Sequence, residues 1–206
     1  FFSSFGQSYF LGLFNSSIRE ALSITHGQFG SIYASATLCS SLLLIWVGKK
    51  IDDVNIFKFA FFVTILLSFA CFFFSRVTSI FLLFIAIFLM RFSGQGMMSH
   101  TASTTISRYF TRTRGRALSI SWFGLSSAEF IMPVLMVYLL TIIDWQNLWL
   151  IFSITVLIVL PIASFLLIKN LNLDSRETND ENIKDIEIKQ WKRREVIKDY
   201  RFYIIS

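Results

Sequence analysis

Leu89-Met90-Arg91-Phe92-Ser93-Gly94-Gln95-Gly96-Met97-Met98-Ser99-His100 sets one cation and two glycines inside a long apolar run. It lies within residues 80–109, a segment too long and too apolar for the core helix of a soluble domain. A helix rises about 1.5 Å per residue, so a helix starting at Ile80 carries Arg91 to a depth of about 16 Å, half a bilayer core. A cation at that depth costs about 2.5 kcal/mol or more on insertion scales, so something must compensate it. Gly94 and Gly96, about one turn further on, let a second helix or a ligand approach closely. Charge, depth and small residues together mark a functional site.

The surrounding composition fits a membrane. Of the 206 residues, 54% are hydrophobic and 16% charged, with 24 Phe and only two Pro. The apolar residues come in long blocks rather than in stripes of period 2 or 3.6, which predicts several spanning helices rather than a soluble core. The chain begins at Phe1 without an initiator Met and stops in the apolar run Phe202-Tyr203-Ile204-Ile205, so it is read as a fragment open at both ends. Cys39 and Cys71 fall in different apolar segments and are expected to pack as free thiols.

Taken in order, Phe1 to Phe14 is the end of a first span, made unusually polar by Ser3, Ser4, Gly6, Gln7, Ser8 and Tyr9. Such a span faces protein or a water-filled cavity. Asn15 to Gly27 reads as a short polar connection, and Thr25-His26-Gly27-Gln28 has the capping-box form that starts a helix. The second span runs from about Gln28 to Val47, with Gly30, Ala34, Ala36 and Ser40 as small residues for close packing. Gly48 to Lys58 is a charged loop, Phe59 to Ser75 the third span and residues 80–109 the fourth. The fifth, Ala117 to Leu140, contains Glu129 and Pro133; Trp145, in the turn that follows, suits a membrane interface. The sixth is Leu148 to Ile168.

The expected organisation is therefore an all-α membrane protein. Residues 1–168 form a bundle of six transmembrane helices arranged as three plus three, residues 169–201 a linker, and residues 202–206 the start of a seventh span. Within the linker, Ile183 to Lys198 reads as an amphipathic helix in which Trp191-Lys192-Arg193-Arg194 suit a membrane surface. Lys and Arg set the topology. Sixteen of the nineteen fall after spans two, four and six: Lys49, Lys50 and Lys58, then Arg108, Arg112, Arg114 and Arg116, then nine from Lys169 to Arg201. Arg19 and Arg76 lie on the opposite side. By the positive-inside rule the linker is cytoplasmic. The location of these cations also accounts for the net charge of +6 without a nucleic-acid partner.

Six spans followed by a long charged cytoplasmic linker give the outline of half a major facilitator superfamily transporter. Gly48-x-x-x-Asp52 with Lys58 resembles that family's Gly-x-Leu-Ala-Asp-Arg-x-Gly-Arg-Arg loop between spans two and three. Lys50 replaces the usual Leu, Asp53 the usual Arg, and Asn55 the second Gly, where Asn tolerates a left-handed turn. Arg91 with Gly94 and Gly96 resembles the family's Arg-x-x-x-Gly motif. Tyr109-Phe110-x-Arg112-x-Arg114-x-x-Ala117, with Gly124 beyond, is similar to the span-four-to-five signature of the monocarboxylate transporter branch. The resemblance implies a multi-pass protein of a bacterial inner membrane or plasma membrane. Its implied partners are the lipid bilayer, a small anionic solute, and the second half of the same chain.

Glu129 lies about 18 Å into the fifth span and Arg91 about 16 Å into the fourth, so antiparallel neighbours bring opposite charges to similar depth. Either the two pair, or Arg91 holds a substrate carboxylate while Glu129 takes a proton. Gln95, four residues on, shares the Arg91 face. Gln7 and Tyr9 offer hydrogen bonds from the first span. His100 is either a proton relay or a packing histidine, and His26 is a solvated loop residue. Gly48, Asp52, Arg112 and Arg114 form the expected gating loop. The sequence holds no phosphate-binding glycine loop, metal-ligand cluster or nucleophile triad, so neither an enzyme nor a cofactor is expected. A membrane-embedded enzyme and a six-span channel are the alternatives. The first would need an acid, base or metal cluster, the second a repeating cation pattern or a pore filter.

Overall fold

The computed structural model describes residues 1–48, 50–110 and 113–169, without the side chains of Asp52, Asp53 and residues 164–169. The linker, the amphipathic stretch 183–198 and the start of a seventh span lie outside the described residues, as does Arg112. A 3-10 turn, Phe2–Gly6, leads into α1 (Ser8–Leu13) and α2 (Asn15–Leu22). After these come α3 (His26–Val47), the one-turn α4 (Lys50–Asp53), α5 (Ile56–Ser75) and α6 (Ile80–Met90). A π-helical segment, Arg91–Met98, joins α6 to α7 (Ser99–Tyr109), and α8 (Arg114–Leu140) and α9 (Trp145–Lys169) complete the described bundle. Among the described residues there is no strand.

Among the described residues, five helical stretches are long and apolar enough to cross a membrane: His26–Val47, Ile56–Ser75, Ile80–Tyr109, Arg114–Leu140 and Trp145–Ala163. The first expected span is instead broken into the 3-10 turn, α1 and α2. Asn15 to Gly27 is correspondingly not a connection throughout. Asn15–Leu22 is helical because Ile18 is fully buried and anchors it to the core. Ser23, at φ 52°, ends it in the left-handed conformation, and the true link shrinks to three residues. The Thr25 capping box forms as read: Gln28 N–H donates to Thr25 Oγ1 at 3.2 Å, and Thr25 N–H donates to Gln28 Oε1 at 2.8 Å.

The charged loop is also more helical than expected. Asn55 does not adopt a left-handed turn; it caps α5 by accepting from Phe57 N–H at 2.9 Å, which places Lys58 in the first helical turn. Of the small residues on α3, Ala36 and Ser40 are buried, whereas Gly30 and Ala34 face outward. Cys71 is buried with its Sγ 4.0 Å from Met90 Sδ, and Cys39 is exposed; both are free.

The core is aromatic. Trp149 of α9 is fully buried, with Phe74 at 4.5 Å between ring centroids, Phe14 at 5.0 Å, and Phe10 and Phe152 each at 5.6 Å. Trp145 is buried in this cluster, edge-on to Phe74. α5 and α9 are further tied by reciprocal serine bonds: Ser68 Oγ donates to Ser153 O at 2.9 Å and Ser153 Oγ to Ser68 O at 2.8 Å. In lipid the apolar solvent gives helices little reason to associate, so tight aromatic packing and such bonds hold the bundle. The outward faces carry Trp46, Phe81, Ile120, Phe123, Phe130 and Val134, all largely exposed, as lipid contact requires.

Candidate functional site

The 3-10 turn crosses the π segment with backbone against backbone. A Cβ at Gly94 would stand 2.7 Å from Gly6 N and 2.8 Å from Gly6 Cα, and one at Gly6 would collide with the Met90 carbonyl. Only glycine at both positions permits this approach. Gly96 opens the opposite side of the segment to Leu44 of α3, whose methyls lie 3.1 Å and 3.2 Å from where its Cβ would be. The wider π turn is thus placed where two neighbours press closest, a common location for such turns at functional sites.

Arg91 begins the π segment and is 8% exposed. Its Nη1 donates to Gly6 O at 3.1 Å and to Ser8 Oγ at 3.1 Å. The Tyr33 ring of α3 covers the guanidinium, with Cζ 5.4 Å from the ring centroid, and Tyr33 Oη donates to Ser8 Oγ at 2.9 Å. Nε is buried and makes no hydrogen bond. The expected pair with Glu129 is not formed: no carboxylate of the described residues lies within ion-pair distance of Arg91, and Glu129 sits on an exposed face of α8. The cation is instead met by neutral groups: a carbonyl dipole, a hydroxyl and a π face.

These groups come from the first segment and α3, so the fold assembles around Arg91 what the bilayer withholds. The family model of the Major Facilitator Superfamily matches residues 1–205. The chain belongs to the major facilitator superfamily. Its members are membrane transporters of small solutes rather than enzymes. No curated protein and no solved structure matches the chain.

In this transporter the remaining polar side chains are distributed around that centre. Gln7 and Gln95 are half-buried. The Tyr9 hydroxyl is enclosed without a hydrogen-bond partner, beside Ser4 and within electrostatic reach of Glu129. Pro133 lies inside α8 and has no N–H for the carbonyl four residues back, which is that of Glu129. Glu129 therefore marks a local opening in the helix as well as a charge. His26 is exposed at the start of α3.

At the other end of the fourth span, His100 Nε2 donates to Gly48 O at 3.1 Å and Arg108 Nη2 to Ile51 O at 3.1 Å. Both bonds hold the backbone between α3 and α5, so α7 grips that loop through carbonyls. Arg114 is exposed at the start of α8. Tyr33 and Ser8 were not legible as site residues. The polar character of the first segment signalled Gln7 and Tyr9, but the 3-10 turn brings Gly6 and Ser8 to Arg91 instead. Tyr33 stands among Ser31, Ala34 and Ser35, where an isolated Tyr on a small-residue stretch is the one available hint.

Proposed function

We propose that the protein carries a small organic anion of the monocarboxylate class across a cell membrane by alternating access, with Arg91 as the anion-binding residue. The observation that carries this reading is a buried guanidinium without a carboxylate partner among the described residues. Neutral groups stabilise such a charge only partly, so the site keeps a positive potential that an anionic solute completes. Gln7, Gln95 and Tyr9 supply hydrogen bonds to the solute from the same region. Glu129, at similar depth on α8, takes the coupled proton, with His100 further along the path to the cytoplasmic side. Asp52, Arg112 and Arg114, with Gly48, latch the cytoplasmic loops, and the second half of the transporter supplies the facing wall of the cavity.

The bond from Arg91 to Gly6 O supports a second reading, in which Arg91 only pins the first segment to the fourth span. Arg91→Gln separates them because glutamine still offers an N–H to Gly6 O. Uptake of labelled acetate, lactate and succinate is measured in proteoliposomes containing the full-length protein, alongside thermal unfolding. The anion role predicts uptake reduced at least about a hundredfold with the melting temperature nearly kept. Wild-type uptake in the variant would remove the anion role and leave the pin. Glu129→Gln is expected to abolish proton-driven accumulation while solute exchange persists; unchanged accumulation would take the proton role from Glu129.

A further inference from the structure

Ser8 occupies an unusual chemical position. A hydroxyl has one proton to donate and two lone pairs to accept with. Both lone pairs of Ser8 are engaged, by Arg91 Nη1 at 3.1 Å and by Tyr33 Oη at 2.9 Å. Its own proton has no acceptor among the described residues, and the residue is exposed. A hydroxyl accepting from a cation and from a phenol is polarised into a stronger donor.

Arg91 is in a matching state. Nη1 is committed to Gly6 and Ser8, Nε is enclosed, and Nη2 makes no hydrogen bond among the described residues. The Tyr33 ring blocks one face of the guanidinium, so a ligand meets it in plane or at its edge. Two adjacent donors without acceptors remain: Nη2 of Arg91 and the Ser8 hydroxyl.

The geometry points to a two-donor carboxylate subsite in which one substrate oxygen accepts from Arg91 Nη2 and the other from the Ser8 hydroxyl, with Tyr33 as the positioning residue that holds the Ser8 proton outward. This rests on the anion reading of Arg91. Tyr33 acts through Ser8: by donating to Ser8 Oγ it occupies the lone pair that would otherwise let the hydroxyl rotate. A carboxylate, with two planar oxygens, satisfies both donors at once, whereas an alcohol or amide satisfies them poorly.

The test uses the full-length transporter in proteoliposomes and whichever of labelled acetate, lactate or succinate the wild type carries fastest. Ser8→Ala is expected to raise KM about tenfold or more with little change in the maximal rate, because a hydrogen bond to a charged acceptor is lost. Ser8→Thr keeps the hydroxyl and is expected to stay within about threefold of wild type. Tyr33→Phe leaves the Ser8 donor in place and is expected to raise KM less than Ser8→Ala does. Ser8→Cys, a weaker donor of similar size, carries the test if the alanine variant does not fold, and its KM is then expected to rise at least about threefold. An unchanged KM in Ser8→Ala, or in Ser8→Cys where that variant stands in, overturns the subsite. So does a Tyr33→Phe defect equal to that of Ser8→Ala, since the trio would then be a scaffold. If Arg91→Gln abolishes uptake while the Ser8 variants transport normally, the subsite falls and the anion reading stands. If Arg91→Gln transports normally, both fall.

Discussion

Gly6 and Gly94 set the position of Arg91 more directly than any polar contact does. A methyl group at Gly94 meets the Gly6 backbone, which cannot swing aside as a flexible side chain would. Gly94→Ala is therefore expected to destabilise the full-length protein by about 1–3 kcal/mol, the usual range for overpacking, and to weaken uptake by displacing Gly6 O from Arg91. Gly30, on α3, has open space around it, so Gly30→Ala is expected to be neutral or stabilising by about 1 kcal/mol. Thermal unfolding in detergent checks both; equal melting temperatures for the two variants would contradict the crossing. At this scale the sequence announces Arg91 and the glycines because a mid-span charge has no cheap explanation. It does not announce Ser8 or Tyr33, since a serine and a tyrosine carry no comparable penalty and their roles come from a 3-10 turn that periodicity does not reveal.

Among the elements, α5 and α9 form the most explicit pair, bonded through Ser68 and Ser153. Each serine donates to the carbonyl of the other, so Ser68→Ala and Ser153→Ala are each expected to cost about 0.6–2 kcal/mol, the range for hydrogen bonds between transmembrane helices. The double variant should lose no more than the sum, which a thermal-unfolding double-mutant cycle measures; no loss in either single variant would contradict the tie. The long spans were legible because their apolar blocks are unambiguous. α2 was not: its polar surface resembles a loop, and a single buried Ile18 decides the matter. The π segment was hidden for a related reason, since π and α turns differ in hydrogen-bond register and not in residue type. Asn55 shows the same limit, as one residue type serves a left-handed turn and a helix cap equally well.

At the scale of the whole molecule, the placement of Lys and Arg predicts which loops face the cytoplasm. Single cysteines placed at Arg19 and Arg114, in a background without Cys39 and Cys71, are expected to react with a membrane-impermeant thiol reagent from opposite sides. Reaction from one side would contradict the topology. The family was legible from the loop and fourth-span motifs together with the span count. The partner of Arg91 was not, because matching depths on neighbouring helices do not fix which face each side chain takes. Whether the buried Arg91, without an acidic partner among the described residues, selects an anionic solute is tested most directly in the unmodified protein. Full-length transporter in proteoliposomes is offered size-matched pairs, each a labelled carboxylate and the neutral amide of the same skeleton. Anion selection predicts saturable uptake of at least one carboxylate, with its amide taken up at least about tenfold more slowly. Equal uptake of amide and carboxylate across the pairs would contradict it.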